Sequence, residues 1–171
     1  MNNIYLVGFM GTGKSSSGKA AALRLGFSFV DLDECIENKE KISIPEIFAQ
    51  KGEAYFRKVE KDVLGEVSVR DTCVVSCGGG IVIDQDNIAL MKRTGIMVCL
   101  TASAQVIFER VRHYTHRPLL QVPDPKEKIE SLLRIRAPYY AQSDLTIDTS
   151  ALSVDEAAVR IIQQWEIRNK Q

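Results

Sequence analysis

A glycine-rich segment near the amino terminus has residue types that bind phosphate. Gly8-Phe9-Met10-Gly11-Thr12-Gly13-Lys14-Ser15 fits the pattern G-x-x-x-x-G-K-[S/T], between an apolar run and a helical run. Glycines allow a tight turn whose amide N–H groups converge on phosphate oxygens at the start of the helix. Lys14 would contact the β- and γ-phosphates, and Ser15 would offer a hydroxyl to Mg²⁺. This spacing and context favour a nucleoside triphosphate site over a chance glycine turn.

The residues expected to contact the nucleotide are Gly11, Thr12, Gly13, Lys14, Ser15 and Ser16. The motif alone does not separate a kinase from a GTPase switch or an ATPase motor. A switch or a motor usually holds magnesium with an aspartate at the end of a later strand. Here the apolar run 72–76 ends in Cys77-Gly78-Gly79-Gly80 instead, which favours a kinase.

Two carboxylates follow the second apolar run. Asp31 and Asp33 come directly after residues 27–30, and residues i and i+2 of an extended segment project to the same side. One carboxylate would then reach magnesium through water, while the other holds an acceptor hydroxyl. The alternative is that Asp33 only caps a helix that begins near Glu34, because aspartate is a preferred N-cap residue.

Three arginines and a run of glycines are candidates for binding an anionic acceptor. Arg57 and Arg136 lie beside aromatic residues, and Arg117 lies in a proline-containing loop between residues 114 and 124. Taken singly, each arginine is more simply explained as a solvated or ion-paired surface residue. Gly78-Gly79-Gly80 either forms a flexible turn or lets an acceptor approach backbone amides. Together with a carboxylate, these residues favour a small anionic acceptor that bears hydroxyl groups.

Apolar runs of strand length alternate with longer helical patterns along the chain. The runs span residues 4–7, 27–30, 72–76, 96–100 and 145–147. Helix starts are indicated by capping-box sequences at Ser43 and Ser153, and helix ends by Gly26, Gly52 and Gly95. The alternation predicts an α/β fold with a parallel sheet and right-handed crossovers. Residues 114–124 fit neither pattern, which is typical of a lid.

The composition is that of one globular domain. The chain has 171 residues, 45% of them hydrophobic, which excludes a disordered protein. Lys and Arg number 22 and so do Asp and Glu, and the zero net charge argues against a nucleic-acid or anionic-membrane surface. Cys35, Cys73, Cys77 and Cys99 lack metal-ligand spacing and fit reduced thiols. Without a signal sequence or a membrane-length apolar stretch, we expect a cytoplasmic monomer with no membrane or nucleic-acid partner.

In these segments and their order, the chain resembles the shikimate kinases over nearly its whole length. The matching segments are residues 8–15, 31–33, 52–57 with Glu60, 78–80, 117–120 and 136–140. The resemblance implies a single P-loop kinase domain over residues 1–171, with five parallel strands in the order 2-3-1-4-5, flanking helices and a mobile lid at about residues 112–124. It also implies transfer of the γ-phosphoryl group of ATP to the 3-hydroxyl of shikimate, with Mg²⁺ as cofactor, a step of chorismate and aromatic amino acid biosynthesis.

The resemblance implies a role for each catalytic and metal-binding candidate. Asp33 would hold the shikimate hydroxyls and act as the base. Asp31 would assist Mg²⁺ through water beside Ser15. Lys14 and Arg117, the latter moving in from the lid, would spread the charge on the transferred group.

The resemblance also implies which residues contact the acceptor and which contact the adenine base. Arg57 and Arg136 would clamp the carboxylate of shikimate, and Gly78-Gly79-Gly80 would line its ring. Arg110 would pack on adenine, with Arg112 as the alternative.

Two other functions fit parts of the pattern. Another small-molecule kinase of this scaffold, acting on gluconate or a nucleotide, would share the phosphate loop, but the paired aspartates and the glycine run disfavour it. A non-catalytic nucleotide-binding regulator would keep the loop and lose the acceptor residues, whereas Asp33, Arg57 and Arg136 are all present.

Overall fold

The computed structural model describes residues 2–113 and 122–170. Its strands and helices alternate along the chain. In order they are β1 (Asn3–Val7), α1 (Lys14–Leu25), β2 (Ser28–Asp31), α2 (Leu32–Glu40), α3 (Ile44–Ser68), β3 (Cys73–Ser76), α4 (Gln85–Thr94), β4 (Gly95–Thr101), α5 (Ala104–Val111), α6 (Pro125–Tyr140), β5 (Leu145–Asp148) and α7 (Val154–Asn169). A short 3₁₀ helix, Ile81–Ile83, follows β3.

The strands form a five-stranded parallel sheet in the order β2-β3-β1-β4-β5. β1 is central, with Ile4 opposite Val74 of β3 and Ile96 of β4. All residues of β1 and β3 are buried, as expected when helices cover both faces of a parallel sheet. The predicted α/β fold and strand order are confirmed, and each strand overlaps the apolar run that predicted it.

Alternate side chains of the central strand enter cores on opposite faces of the sheet. Tyr5 and Val7 pack with buried residues of α2, α3 and α4, Leu64 among them. Ile4 and Leu6 pack on the other face with buried residues of α1 and α7. Because both faces are covered, the ends of the strands are the places where the sheet can present functional groups.

The two helix starts predicted from capping boxes are confirmed. The Ser43 amide donates to Glu46 Oε2 at 2.8 Å, and the Ser153 amide donates to Glu156 Oε2 at 2.8 Å. In each case the serine side chain in turn accepts from the glutamate amide. These local hydrogen bonds satisfy amides that have no partner inside the helix.

The three glycines predicted to end helices behave differently. Gly26 ends α1 in the left-handed region, with φ of 68°. Gly52, with φ of 82° and ψ of 170°, is non-helical and divides α3 at a kink, so the first helical segment ends there as predicted. Gly95 is the C-cap of α4, as predicted, but it is extended, with φ of 179°, instead of left-handed, and it begins β4. Glycine is needed there for another reason, since a Cβ would collide with the carbonyl of Asn3.

The predicted lid at about residues 112–124 lies mostly outside the described residues. On its two sides, α5 ends at Val111 and α6 begins at Pro125, where the Asp124 side chain accepts a hydrogen bond from the Glu127 amide. The mobility of this segment, and the extent of a single domain over residues 1–171, stay predictions.

The cysteines are free thiols, as their spacing predicted. Cys73, Cys77 and Cys99 are buried, and Cys35 is partly exposed. Burial raises the pKa of Cys77, and it raises the pKa of Cys99 to about 11, so both thiols stay protonated at neutral pH. In the part of the chain that the structure describes, no helix combines the length and apolarity needed to cross a membrane.

A buried polar side chain joins β1 to β3 at the end of the sheet opposite the carboxyl ends. Asn3 is fully buried, and its Oδ1 accepts from the Cys73 amide at 3.0 Å. Its Nδ2 donates to the Arg70 carbonyl at 2.9 Å and to the Tyr5 hydroxyl at 3.2 Å. The amide therefore satisfies backbone groups that would otherwise lose their partners inside the protein.

We expect Asn3→Ala to lower the free energy of unfolding by about 2 to 4 kcal/mol, because the buried Cys73 amide would lose its acceptor. Asn2→Ala is the matched control, since Asn2 is exposed and uses its backbone amide to bond Asp71. Urea unfolding followed by Trp165 fluorescence measures both. Equal unfolding midpoints for the two variants would contradict the structural importance of Asn3.

Candidate active site

A cleft of about 730 Å³, a size typical of small-molecule sites, opens at the carboxyl ends of the strands. The predicted site residues that the structure describes all line it: Gly11, Thr12, Gly13, Lys14, Ser15, Ser16, Asp31, Asp33, Arg57, Gly78, Gly79, Gly80, Arg110 and Arg136. Arg117 lies outside the described residues. The tertiary structure thus brings segments that are far apart in sequence to one cavity.

The phosphate loop, residues 8–13, turns tightly between β1 and α1. Gly8, Gly11 and Gly13 have φ of 135°, 75° and 92°, values that residues with side chains rarely adopt. A Cβ on Gly11 would also lie only 2.7 Å from Val111 Cγ1. The first turn of α1 contains no acidic residue, so the positive end of its dipole is available to an anion.

Lys14 lies over this loop. Its Nζ donates to the Gly8 carbonyl at 2.8 Å and to the Phe9 carbonyl at 3.0 Å. The ammonium is thereby held beside the amides that would bind phosphate.

Three oxygen-bearing side chains meet next to the loop and form a candidate magnesium site. Ser15 Oγ donates to Asp31 Oδ2 at 2.8 Å and lies 3.0 Å from Ser76 Oγ. Hydroxyl and carboxylate oxygens suit Mg²⁺, which proteins usually hold through one or two carboxylates together with substrate phosphates and water. In residues 2–113 and 122–170, no group of three or more His, Cys, Asp or Glu side chains could hold a metal alone. The residues present therefore fit a magnesium ion that arrives with the nucleotide.

Sequence reasoning did not find Ser76. The feature that could have predicted Ser76 as a site residue is its position at the end of β3, where it pairs in register with Asp31 of β2. Residues at neighbouring carboxyl ends of a parallel sheet lie side by side, so the two side chains share one edge.

Asp31 and Asp33 both lie at the cleft, but the backbone conformation that places them there differs from the one predicted. β2 ends at Asp31, and Asp33 already lies in the first turn of α2, so the expectation of two carboxylates on one extended segment is wrong. The alternative, that Asp33 caps the helix, is also wrong, because Asp31 is the N-cap and accepts from the Asp33 amide at 3.1 Å. The helical turn separates the two carboxylates. Asp31 faces Ser15, while Asp33 Oδ1 lies 3.1 Å from where a Cβ on Gly78 would be.

The glycine turn after β3 lies between two guanidinium groups. A Cβ on Gly80 would collide with the guanidinium of Arg57, and one on Gly79 would lie 3.3 Å from Arg136 Nη1. The Arg136 guanidinium also lies 5.6 Å from the centroid of the Phe9 ring. The missing side chains of the turn leave space between the two cations, an arrangement that suits a planar anion.

Glu60 lines the cleft, although no role was predicted for it. Its side chain is 1% exposed, and its Oε2 accepts from Arg57 Nη1 at 2.7 Å. Burial raises the pKa of Glu60 to about 6, although the Arg57 charge opposes the shift. The other oxygen, Oε1, is buried without a hydrogen-bond partner among the described residues and would lie 2.9 Å from a Cβ on Gly78. The available signal was the i, i+3 spacing of an arginine and a glutamate on one helix.

Arg110, and not Arg112, lies at the cleft. Arg110 Nη1 donates to the Gly11 carbonyl at 3.2 Å, and its Nη2 donates to the Thr149 carbonyl at 2.7 Å. Arg112 is half exposed and forms an ion pair of 3.1 Å with Glu109. Of the two alternatives, the geometry favours Arg110 as the residue beside the nucleotide, and its contact with adenine stays a prediction.

Thr149 is a second residue that sequence reasoning missed. Its side chain is buried, and its hydroxyl donates to the Thr12 carbonyl at 2.9 Å. Its amide donates to the Thr101 carbonyl at 2.8 Å at the end of β4. It thus joins the phosphate loop to the turn before α7. Leu152 and Ser153 of this turn line the same cleft.

Comparison with known proteins gives one consistent answer. The family model for shikimate kinase matches residues 10–166. The chain belongs to the shikimate kinase family. A shikimate kinase of Thermodesulfovibrio yellowstonii is 46% identical over 97% of this chain and 96% of its own length, and one of Geobacter metallireducens is 44% identical over 98% and 94%. Among solved structures, a shikimate kinase from Acinetobacter baumannii in complex with shikimate superposes with a TM-score of 0.92 at 38% identity, covering 99% of this chain and 95% of its own.

Membership of the shikimate kinase family confirms the resemblance found from the sequence and makes the chain an ATP-dependent kinase. The superposition also agrees with the strand order and flanking helices described above. The roles of individual residues of this chain stay predictions.

The buried carboxyl of Glu60 leads to a prediction about pH. Because burial raises its pKa from 4.5 to about 6, the folded state loses stability as pH rises through this interval. Glu60→Gln cannot ionise, so its free energy of unfolding relative to wild type should rise by about 2 kcal/mol between about pH 4 and pH 7. Denaturant unfolding across this range measures the difference.

Glu46→Gln serves as the matched control for this measurement. Hydrogen bonds from Ser43 lower the pKa of Glu46, so its ionised form stabilises the folded state. That variant should therefore lose stability relative to wild type as pH rises, the opposite sign. A Glu60→Gln difference that is constant with pH would contradict a desolvated carboxylate at this position.

Proposed function

We propose that the chain transfers the γ-phosphoryl group of ATP to the 3-hydroxyl group of shikimate, giving shikimate 3-phosphate and ADP. The observation that carries the proposal is the pair of guanidinium groups around the glycine turn, in the same cleft as the phosphate loop. A planar guanidinium group can donate two parallel hydrogen bonds to a carboxylate, and the glycine turn has no side chains that would fill the space needed by a ring. The bound shikimate of the Acinetobacter baumannii relative supports the same acceptor.

The phosphates of ATP would lie on the phosphate loop. The amides at the start of α1 and the Lys14 ammonium would bind them, while Arg110, already hydrogen-bonded to the loop, would contact adenine. Arg117 would reach the phosphates from the lid. Because Arg117 lies outside the described residues, its contact stays a prediction. The monomeric state also stays a prediction.

Mg²⁺ would bind beside the loop through the Ser15 hydroxyl and through water held by Asp31. When bound, the ion would neutralise charge on the β- and γ-phosphates. Asp31 orients the Ser15 hydroxyl by accepting its hydrogen bond at 2.8 Å, and Ser76 Oγ lies 3.0 Å from the same hydroxyl. These contacts would place the serine oxygen before the nucleotide arrives.

The acceptor would be aligned by its carboxylate and activated at its hydroxyl. Arg57 and Arg136 would bind the carboxylate, and Gly78-Gly79-Gly80 would line the ring. Asp33 would accept the proton of the 3-hydroxyl as that oxygen bonds to the γ-phosphorus. The bond between the γ-phosphorus and the β–γ bridging oxygen breaks, and its electron pair leaves with ADP.

A coupled assay of ADP release tests this reaction against the other acceptors. With ATP and Mg²⁺, we expect kcat/KM for shikimate to exceed that for gluconate or a nucleoside monophosphate by at least about 100-fold, because wrong acceptors leave buried polar groups unpaired. Preference for gluconate or a nucleotide would overturn the proposed acceptor. ADP release that no acceptor stimulates would instead favour a nucleotide-binding regulator.

Asp33→Asn tests the proposed base. We expect kcat to fall by about 10²- to 10⁴-fold, because the amide cannot accept the hydroxyl proton. The KM for ATP should change little, since Asp33 Oδ1 lies at the glycine turn, 3.1 Å from where a Cβ on Gly78 would be. Glu34→Gln, a neighbouring exposed acid in the same helical turn, should retain wild-type turnover. Near-wild-type turnover by Asp33→Asn would contradict its role as base.

A further inference from the structure

Tyr140 connects the glycine turn to one of the two arginines that flank it. It is the last residue of α6, and its side chain lies mostly buried in the core that contains Val82. Its hydroxyl donates to the Gly79 carbonyl at 2.7 Å. The guanidinium of Arg136, one helical turn earlier on α6, lies beside the same glycine: a Cβ on Gly79 would be 3.3 Å from Arg136 Nη1 and 3.6 Å from the Tyr140 hydroxyl oxygen. The phenol therefore binds the glycine turn at the point where the Arg136 guanidinium approaches it.

The Tyr140 hydroxyl stays protonated at neutral pH. Burial raises the pKa of Tyr140 to about 12, although the nearby Arg136 charge opposes the shift. The group therefore remains a neutral phenol, which donates one hydrogen bond to a carbonyl and still accepts another.

Tight restraint of Arg136 matters because a free arginine has many rotamers. Ordering such a side chain on ligand binding costs conformational entropy. The Tyr140 hydroxyl lies beside the guanidinium at Gly79, and the centroid of the Phe9 ring lies 5.6 Å from the guanidinium. The same hydroxyl binds the Gly79 carbonyl at 2.7 Å, so the phenol contacts the turn at the place where the cation lies against it.

We infer that Tyr140 is a positioning residue for the acceptor: it fixes the Arg136 guanidinium relative to the Gly79 peptide, so that an acceptor carboxylate meets a clamp that is already assembled. The inference rests on the proposed function, since it assumes that shikimate binds between these groups. It assigns Tyr140 no contact with the reacting atoms. Its removal should weaken acceptor binding and leave the chemical step and ATP binding intact.

Tyr140→Phe removes the hydroxyl and keeps the ring, so the packing of α6 is retained and can be checked by circular dichroism. We expect the KM for shikimate to rise about five- to tenfold, with kcat and the KM for ATP within about twofold of wild type. Tyr139→Phe is the matched control, because Tyr139 is the preceding tyrosine of the same helix and also packs against this core. It should leave all three parameters within about twofold.

A double-variant cycle tests whether Tyr140 acts through Arg136. In an Arg136→Met background, adding Tyr140→Phe should change kcat/KM for shikimate by about twofold or less, because the phenol no longer has a guanidinium to position. A full five- to tenfold effect in that background would overturn the inference, as would equal changes in the KM values for ATP and shikimate in the single variant.

The outcomes separate this inference from the proposed function. If the wild-type protein does not phosphorylate shikimate, the proposed function fails. If wild type is active and Tyr140→Phe has an unchanged KM for shikimate, the function stands and the positioning role of Tyr140 is wrong.

Discussion

The site depends on a single constraint, the common direction of the strands. Because all strands of the sheet are parallel, the carboxyl ends of β1, β2 and β3 meet at one edge, and each is followed there by a polar segment. β1 leads into the phosphate loop, β2 into Asp31 and Asp33, and β3 into Gly78-Gly79-Gly80. The helices bury both faces of the sheet, so this edge is where backbone amides and charged groups can meet ligands.

The part of the cleft that we propose for the acceptor contains a carboxylate whose ionised form does not stabilise the folded state. Glu60 is buried beside Arg57, and one of its oxygens has no hydrogen-bond partner among the described residues. Desolvation of such a group opposes its ionised form, and an ion pair of this kind does little for net stability. Its contribution is better understood as holding the Arg57 guanidinium at the glycine turn, where Gly80 leaves no side chain in the way.

Each arginine at the cleft is held by a different kind of partner. Arg57 is paired with carboxylates of its own helix, while Arg110 is hydrogen-bonded to backbone carbonyls of the phosphate loop and of Thr149. Arg136 lies between the Tyr140 hydroxyl at Gly79 and the aromatic ring of Phe9. Restraints of this kind are made before a ligand binds, which reduces the side-chain entropy lost on binding. The geometry of the cleft is therefore largely set by the folded protein.

The sequence by itself determined the phosphate loop, the capping boxes, the α/β alternation and the family, because each is encoded by short-range spacing of residue types. Glycine and lysine at fixed offsets specify a loop whatever packs around it. The tertiary structure alone decided that Asp31 and not Asp33 caps α2, that Glu60 is buried at the cleft, and that Gly95 begins a strand. These outcomes depend on which groups from distant segments pack together, and no local pattern of residue types contains that information.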